Sequence, residues 1–61
     1  MYYITQIEGE GEKEKIIEEV EVDNLYEYFN VEFVRTWVPK LRIGEYCEVA
    51  DEKFTYIIER E

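Results

Sequence analysis

Sixty-one residues hold the chain to one domain, and 16 Asp+Glu against 7 Lys+Arg give it a formal net charge of -9 with no histidine. With 46 % hydrophobic and 16 % aromatic residues, the composition excludes a disordered acidic tail and describes a folded body under its own electrostatic repulsion. A single cysteine excludes an internal disulfide, and without histidine one thiol cannot build a structural zinc site.

A domain this short buries only about 60 % of its unfolded surface, so oligomerisation is the stabilising device that remains. The ten aromatics, Tyr2, Tyr3, Tyr26, Tyr28, Phe29, Phe33, Trp37, Tyr46, Phe54 and Tyr56, exceed what one small core readily hides, which makes a homodimer a candidate arrangement. Met1-Tyr2-Tyr3-Ile4-Thr5 has neither a basic nor an apolar leader region, and no apolar run reaches the ~20 residues of a membrane span. With a lone thiol suited to a reducing compartment, the expected location is the cytoplasm.

In chain order, residues 2–8 alternate as a strand and residues 15–22 do so again. Gly9-Glu10-Gly11-Glu12-Lys13 between them predicts a hairpin connection of about five residues. Glu18 falls on the apolar face between Ile16 and Val20, a position that suits a strand edge or a bulge. Asn24 and Glu27 have capping-box spacing, and Leu25, Tyr28 and Phe29 form one apolar stripe, so a helix of at most two turns is expected, ending near Asn30. Residues 31–38 are read as the central strand because both of their alternating faces carry apolar side chains, and Pro39 ends it. After Leu41-Arg42-Ile43-Gly44, residues 45–49 and 54–59 form a second hairpin around Ala50-Asp51-Glu52-Lys53. Val49 and Ile57 are its expected core residues, with Phe54, Tyr56 and Ile58 on the opposite face. The order β-β-α-β-β-β describes a small α+β domain whose mainly antiparallel sheet either stays open under the helix or curls into a partial barrel.

The charge is unevenly spread. Residues 1–34 carry ten acids and two lysines, a net of -8; residues 35–42 carry Arg35, Lys40 and Arg42 and no acid; residues 43–61 have a net of -4. Glu8, Glu10, Glu12 and Glu14 recur every second residue, and Glu19 and Glu21 continue the rhythm. On extended backbone such residues project to one side about 6.6 to 6.8 Å apart, a crude copy of a phosphate backbone. A plain solvated hairpin, its edges guarded by glutamate, gives the same pattern. The Glu8-to-Glu12 run lacks the ligand pattern of a calcium loop, Cys47 has no base to activate it, and the glycines match no phosphate-binding fingerprint, so no catalytic residue, cofactor or metal ligand is assigned.

Three functional readings follow. The first is a small acidic inhibitor or decoy, of the type encoded by mobile genetic elements, that occupies the basic site of a nucleic-acid-handling protein. Its partner-binding residues would be Glu8, Glu10, Glu12, Glu14, Glu19 and Glu21, with Tyr26 and Tyr28 as aromatic anchors. The second is a non-enzymatic interaction or accessory subunit acting through an aromatic surface. The third is a small nucleic-acid-binding barrel using Arg35, Trp37 and Arg42, which the net charge opposes.

Overall fold

Two hairpins, one from each end of the chain, lie side by side to form the sheet. The computed structural model describes residues 1–61, with strands β1 (Tyr2–Glu8), β2 (Lys15–Val22), β3 (Tyr46–Ala50) and β4 (Phe54–Arg60), and helix α1 (Val31–Trp37). The four strands are ordered β2-β1-β4-β3 and all three pairings are antiparallel. The sheet therefore stays open, with β2 and β3 as its edges and the first and last strands at its centre. The connection between the hairpins crosses one face and supplies a second layer: a 3-10 turn at Leu25–Glu27, then α1.

Both hairpins form where the alternation placed them, and their connections show why. Between β1 and β2, residues 9–14 include a 3-10 turn at Gly11–Lys13. Gly9 has φ +93, and a Cβ there would lie 2.5 Å from the Lys13 carbonyl oxygen, so the turn needs glycine. Between β3 and β4, the Asp51 carboxylate accepts from the backbone N–H of Lys53 (2.9 Å) and Phe54 (2.8 Å), closing an Asx-type turn.

Residues 31–38 are not the central strand. They form α1, because the Asn30 side chain accepts from the Phe33 backbone N–H at 2.7 Å and caps a helix in which Phe33, Val34 and Val38 face inward. Pro39 ends this helix just after its C-terminal cap. The helix expected over residues 24–30 is reduced to the Leu25–Glu27 turn, which keeps its cap: Asn24 Oδ1 accepts from Tyr26 N–H (3.0 Å), and Glu27 Oε2 accepts from Asn24 N–H (3.2 Å). The element order is thus β-β-α-β-β, one strand fewer than the sequence pattern predicts.

The core lies between the sheet and the crossing segment. Ile4 and Ile58 are fully buried at its centre, under Leu25, Phe29 and Leu41, with Tyr56 beside them. Phe29 is the aromatic hub: its ring stacks on Phe33 at 4.7 Å and meets Tyr28 and Tyr56 edge-on at 4.8 and 5.0 Å. The expected facing of β4 is reversed. Val49 does pack against the core, but its partner across the ladder is Tyr56, so Tyr56 and Ile58 share the inner face and Ile57 points away. Arg60 ties the return segment down: its Nη1 donates to the Leu41 carbonyl at 2.7 Å, and its backbone exchanges hydrogen bonds with Gly44 (2.7 Å) and Glu45 (2.9 Å). No helix is long and apolar enough to cross a membrane.

Candidate functional site

The crossing segment covers one face of the sheet and leaves the other open. The register fixes what the open face displays, because residues directly opposite one another share a face. Glu21, Tyr3, Glu59 and Tyr46 form one transverse row across β2, β1, β4 and β3. Glu19, Thr5, Ile57 and Glu48 form the next, and Ile16, Ile7, Thr55 and Ala50 the third. Neighbouring strands lie about 4.8 Å apart, so each row spans roughly 14 Å, and the rows follow one another at about 6.7 Å. The face thus grades from acidic and aromatic at one end to apolar at the other.

A bulge sets the apolar end. The β1–β2 register shifts between Gln6 and Ile7, leaving Ile17 as the extra residue and turning Ile16 outward. Glu18 stays on the inner face with Val20 and Val22, but at the exposed rim, where its Oε2 accepts from the Tyr28 hydroxyl at 3.3 Å.

Every charged side chain that the register sets on the open face is a carboxylate: Glu19, Glu21, Glu48 and Glu59. Glu61 joins them at the chain's end, where its N–H donates to the Met1 carbonyl. Hydrogen bonding with Glu21, followed by desolvation and the repulsion of Glu21 and Glu59, raises the pKa of the Glu61 carboxyl, and the nearby N-terminal ammonium partly opposes the shift. Tyr3 donates its hydroxyl to Glu19 Oε1 at 2.7 Å; this bond is the first reason its pKa is raised, with desolvation and the neighbouring acids adding to it. The cationic side chains lie elsewhere. Lys13 is in the first connection, Lys15 begins β2 opposite Glu8, Lys53 is in the second turn, and Arg35, Lys40, Arg42 and Arg60 belong to the crossing segment and the inner face.

The expected partner-binding residues fall into three groups. Glu19 and Glu21 lie on the open face. Glu8, Glu10, Glu12 and Glu14 do not continue that row, because the chain leaves extended geometry after Glu8 and turns through Gly11–Lys13; they cluster at the hairpin tip. Tyr26 lies on the 3-10 turn of the covered side, 54 % exposed, whereas Tyr28 packs on Phe29 and Tyr56 and bonds to Gln6 Oε1 (3.3 Å) and Glu18. Burial, then the charge of Glu18, pushes the Tyr28 hydroxyl up to about 12. Glu48, Glu59 and Glu61 are acids that sequence spacing did not join to the others; only the β1–β4 pairing unites them.

The remaining chemistry is sparse. Cys47 is half-buried opposite Ile58, and burial pushes its thiol up, which keeps it neutral near pH 7. No group of three or more His, Cys, Asp or Glu side chains is arranged to hold a metal ion. The exposed aromatics Tyr26, Trp37 and Tyr46 sit on three separate elements. Comparison with protein families, with curated proteins and with solved structures finds no match to this chain.

Proposed function

We propose that the chain is a non-enzymatic protein-binding module whose open sheet face occupies the basic, nucleic-acid-binding surface of a partner. One observation carries this reading: the pairing of the two hairpins places five carboxylates and no cationic side chain on the one face that no other element covers, with the N-terminal ammonium beside Glu61 as the one positive charge near them. Repulsion among these acids is relieved when lysines and arginines of a partner meet them, which is the complementarity such a partner offers to phosphates. Ile7, Ile16 and Ile57 add apolar area that a purely solubilising surface would lack. Two copies meeting through this face would set carboxylates against carboxylates, so the reading favours a different, basic partner.

In this arrangement Glu19, Glu21, Glu48 and Glu59 make the contacts, while Glu10, Glu12 and Glu14 at the tip steer the encounter from a distance. Tyr28 serves the fold instead, through its packing on Phe29 and its hydroxyl, whose one proton is shared between Gln6 Oε1 and Glu18 Oε2. The test is capture of partners from a lysate of the source cell on the wild-type chain and on the triple variant Glu19→Lys, Glu21→Lys and Glu59→Lys in parallel. The expected result is a basic partner that added oligonucleotide releases and that the variant fails to hold. Retention by the variant, or indifference to oligonucleotide, would overturn the reading.

A further inference from the structure

The cations of this acidic chain are concentrated as well. A cleft of about 350 Å³ opens on the covered side, where α1, the segment after it and the Leu25–Glu27 turn meet the end of the sheet. Arg35, Lys40 and Arg60 line it, three of the seven cations in the chain, and no carboxylate does. Its apolar wall includes Val34 and Val38, and the rings of Tyr2 and Tyr26 complete it. The volume lies at the small end of the range for small-molecule sites, about 300–1,000 Å³.

Arg60 is already oriented. Its guanidinium lies 5.8 Å from the centroid of the Tyr2 ring, and one of its N–H groups donates to the Leu41 carbonyl. Those two contacts hold the guanidinium plane in the cleft and leave it further donors for an incoming oxygen anion. Arg35 and Lys40 are exposed at the end of α1 and just beyond it, on long side chains that can close over a ligand. Tyr26, exposed and beside them, offers a flat face to a ring.

Concentrating three cations around an apolar, tyrosine-walled recess suits a ligand with an anionic group at one end and a planar body at the other. We infer that this cleft binds a small aromatic phosphate, a mononucleotide, with the phosphate on Arg35, Lys40 and Arg60 and the base against Tyr26. The acidic sheet face does not cancel this attraction. Glu59 and Glu61 are the chain neighbours of Arg60, but the register turns Glu59 to the opposite face of the sheet, and no carboxylate lines the cleft.

The test titrates the isotopically labelled whole chain with adenosine monophosphate at physiological salt, following backbone amides by NMR. Ribose 5-phosphate and adenosine serve as the two half-ligands. The amides of Tyr2, Tyr26, Arg35 and Lys40 are expected to shift together and saturate, with each half-ligand at least roughly tenfold weaker, since each lacks either the charge-assisted bonds or the stacking. The double variant Arg35→Glu and Lys40→Glu, at two exposed positions outside the core, is expected to keep the folded spectrum and lose the response. No saturable shift at these amides, a half-ligand that matches the nucleotide, or an unaffected double variant would each overturn the inference. The open-face triple lysine variant should still bind the nucleotide, so failure of this site and failure of the basic-partner reading are told apart.

Discussion

Ile57 and Ile58 are neighbours on β4, and replacing each by alanine distinguishes the two faces of the sheet. Ile58 is fully buried between Ile4 on β1 and Cys47 on β3, under the crossing segment. Its truncation removes three carbons, worth about 0.8 kcal/mol each in transfer from water. The unfilled volume adds a cavity term, bringing the expected loss to about 3 to 4 kcal/mol. A domain of this length has on the order of 3 to 9 kcal/mol in all, so Ile58→Ala should remove a large share of it. Ile57, half-buried on the open face, should lose about 1 kcal/mol, mostly strand propensity and partial burial. Urea unfolding followed by far-UV circular dichroism measures both, with the slope of the transition checking that the unfolded state is unchanged. An Ile57→Ala loss equal to or larger than that of Ile58→Ala would place the helical layer on the wrong face and remove the basis of the acidic surface.

Three further outcomes follow from local geometry. Asn30→Ala deletes the side-chain cap of α1 and should lower stability by about 0.5 to 2 kcal/mol in the same assay, with a loss of helical signal. Gly9→Ala forces a Cβ against the Lys13 carbonyl at positive φ and should lower stability by about 1 to 3 kcal/mol, whereas Gly11→Ala, with open space around its Cβ, should lower it less. The Tyr28 hydroxyl has its pKa raised from 10.0 to about 12 in the fold, so the stability it contributes is fully present below pH 10 and is lost as the pH rises through about 12. Alkaline unfolding curves of wild type and Tyr28→Phe should therefore converge across that window, and a constant gap between them would contradict the assignment.

The hairpins were legible because their signals are local: period-two alternation, glycines at the first turn, and Asp51 at the second. The stretch 31–38 misled because Val31, Val34, Thr36 and Val38 are β-branched and both alternating faces are apolar. The opposing signals were present: an Asn immediately before the stretch, Glu32 in the first turn, Arg35 in the last, Phe33 and Val34 with Val38 at helical spacing, and Pro39 beyond. Packing of that apolar stripe on Phe29 and Tyr56 decided the outcome over propensity. The choice of Ile57 over Ile58 for the core was a one-residue error of facing, which reverses every side chain of the strand. Two of the five acids of the open face were visible, as Glu19 and Glu21. Glu48, Glu59 and Glu61 were not, because the pairing of the first strand with the last is a long-range contact with no local signature. The cationic cleft was visible only as the basic run that contains Arg35 and Lys40; Tyr26 precedes that run, and Tyr2 and Arg60 come from opposite ends of the chain.

The most direct test of the central claim is the affinity for the captured basic partner, measured by titration calorimetry at rising salt for three proteins. These are the wild type, the open-face variant (Glu19→Lys, Glu21→Lys, Glu59→Lys) and a tip variant (Glu10→Lys, Glu12→Lys, Glu14→Lys). The expected result is wild-type binding that weakens steeply with salt, abolition by the open-face changes, and only modest weakening by the tip changes. Salt-independent binding, or a tip variant that loses the partner while the open-face variant keeps it, would contradict the account.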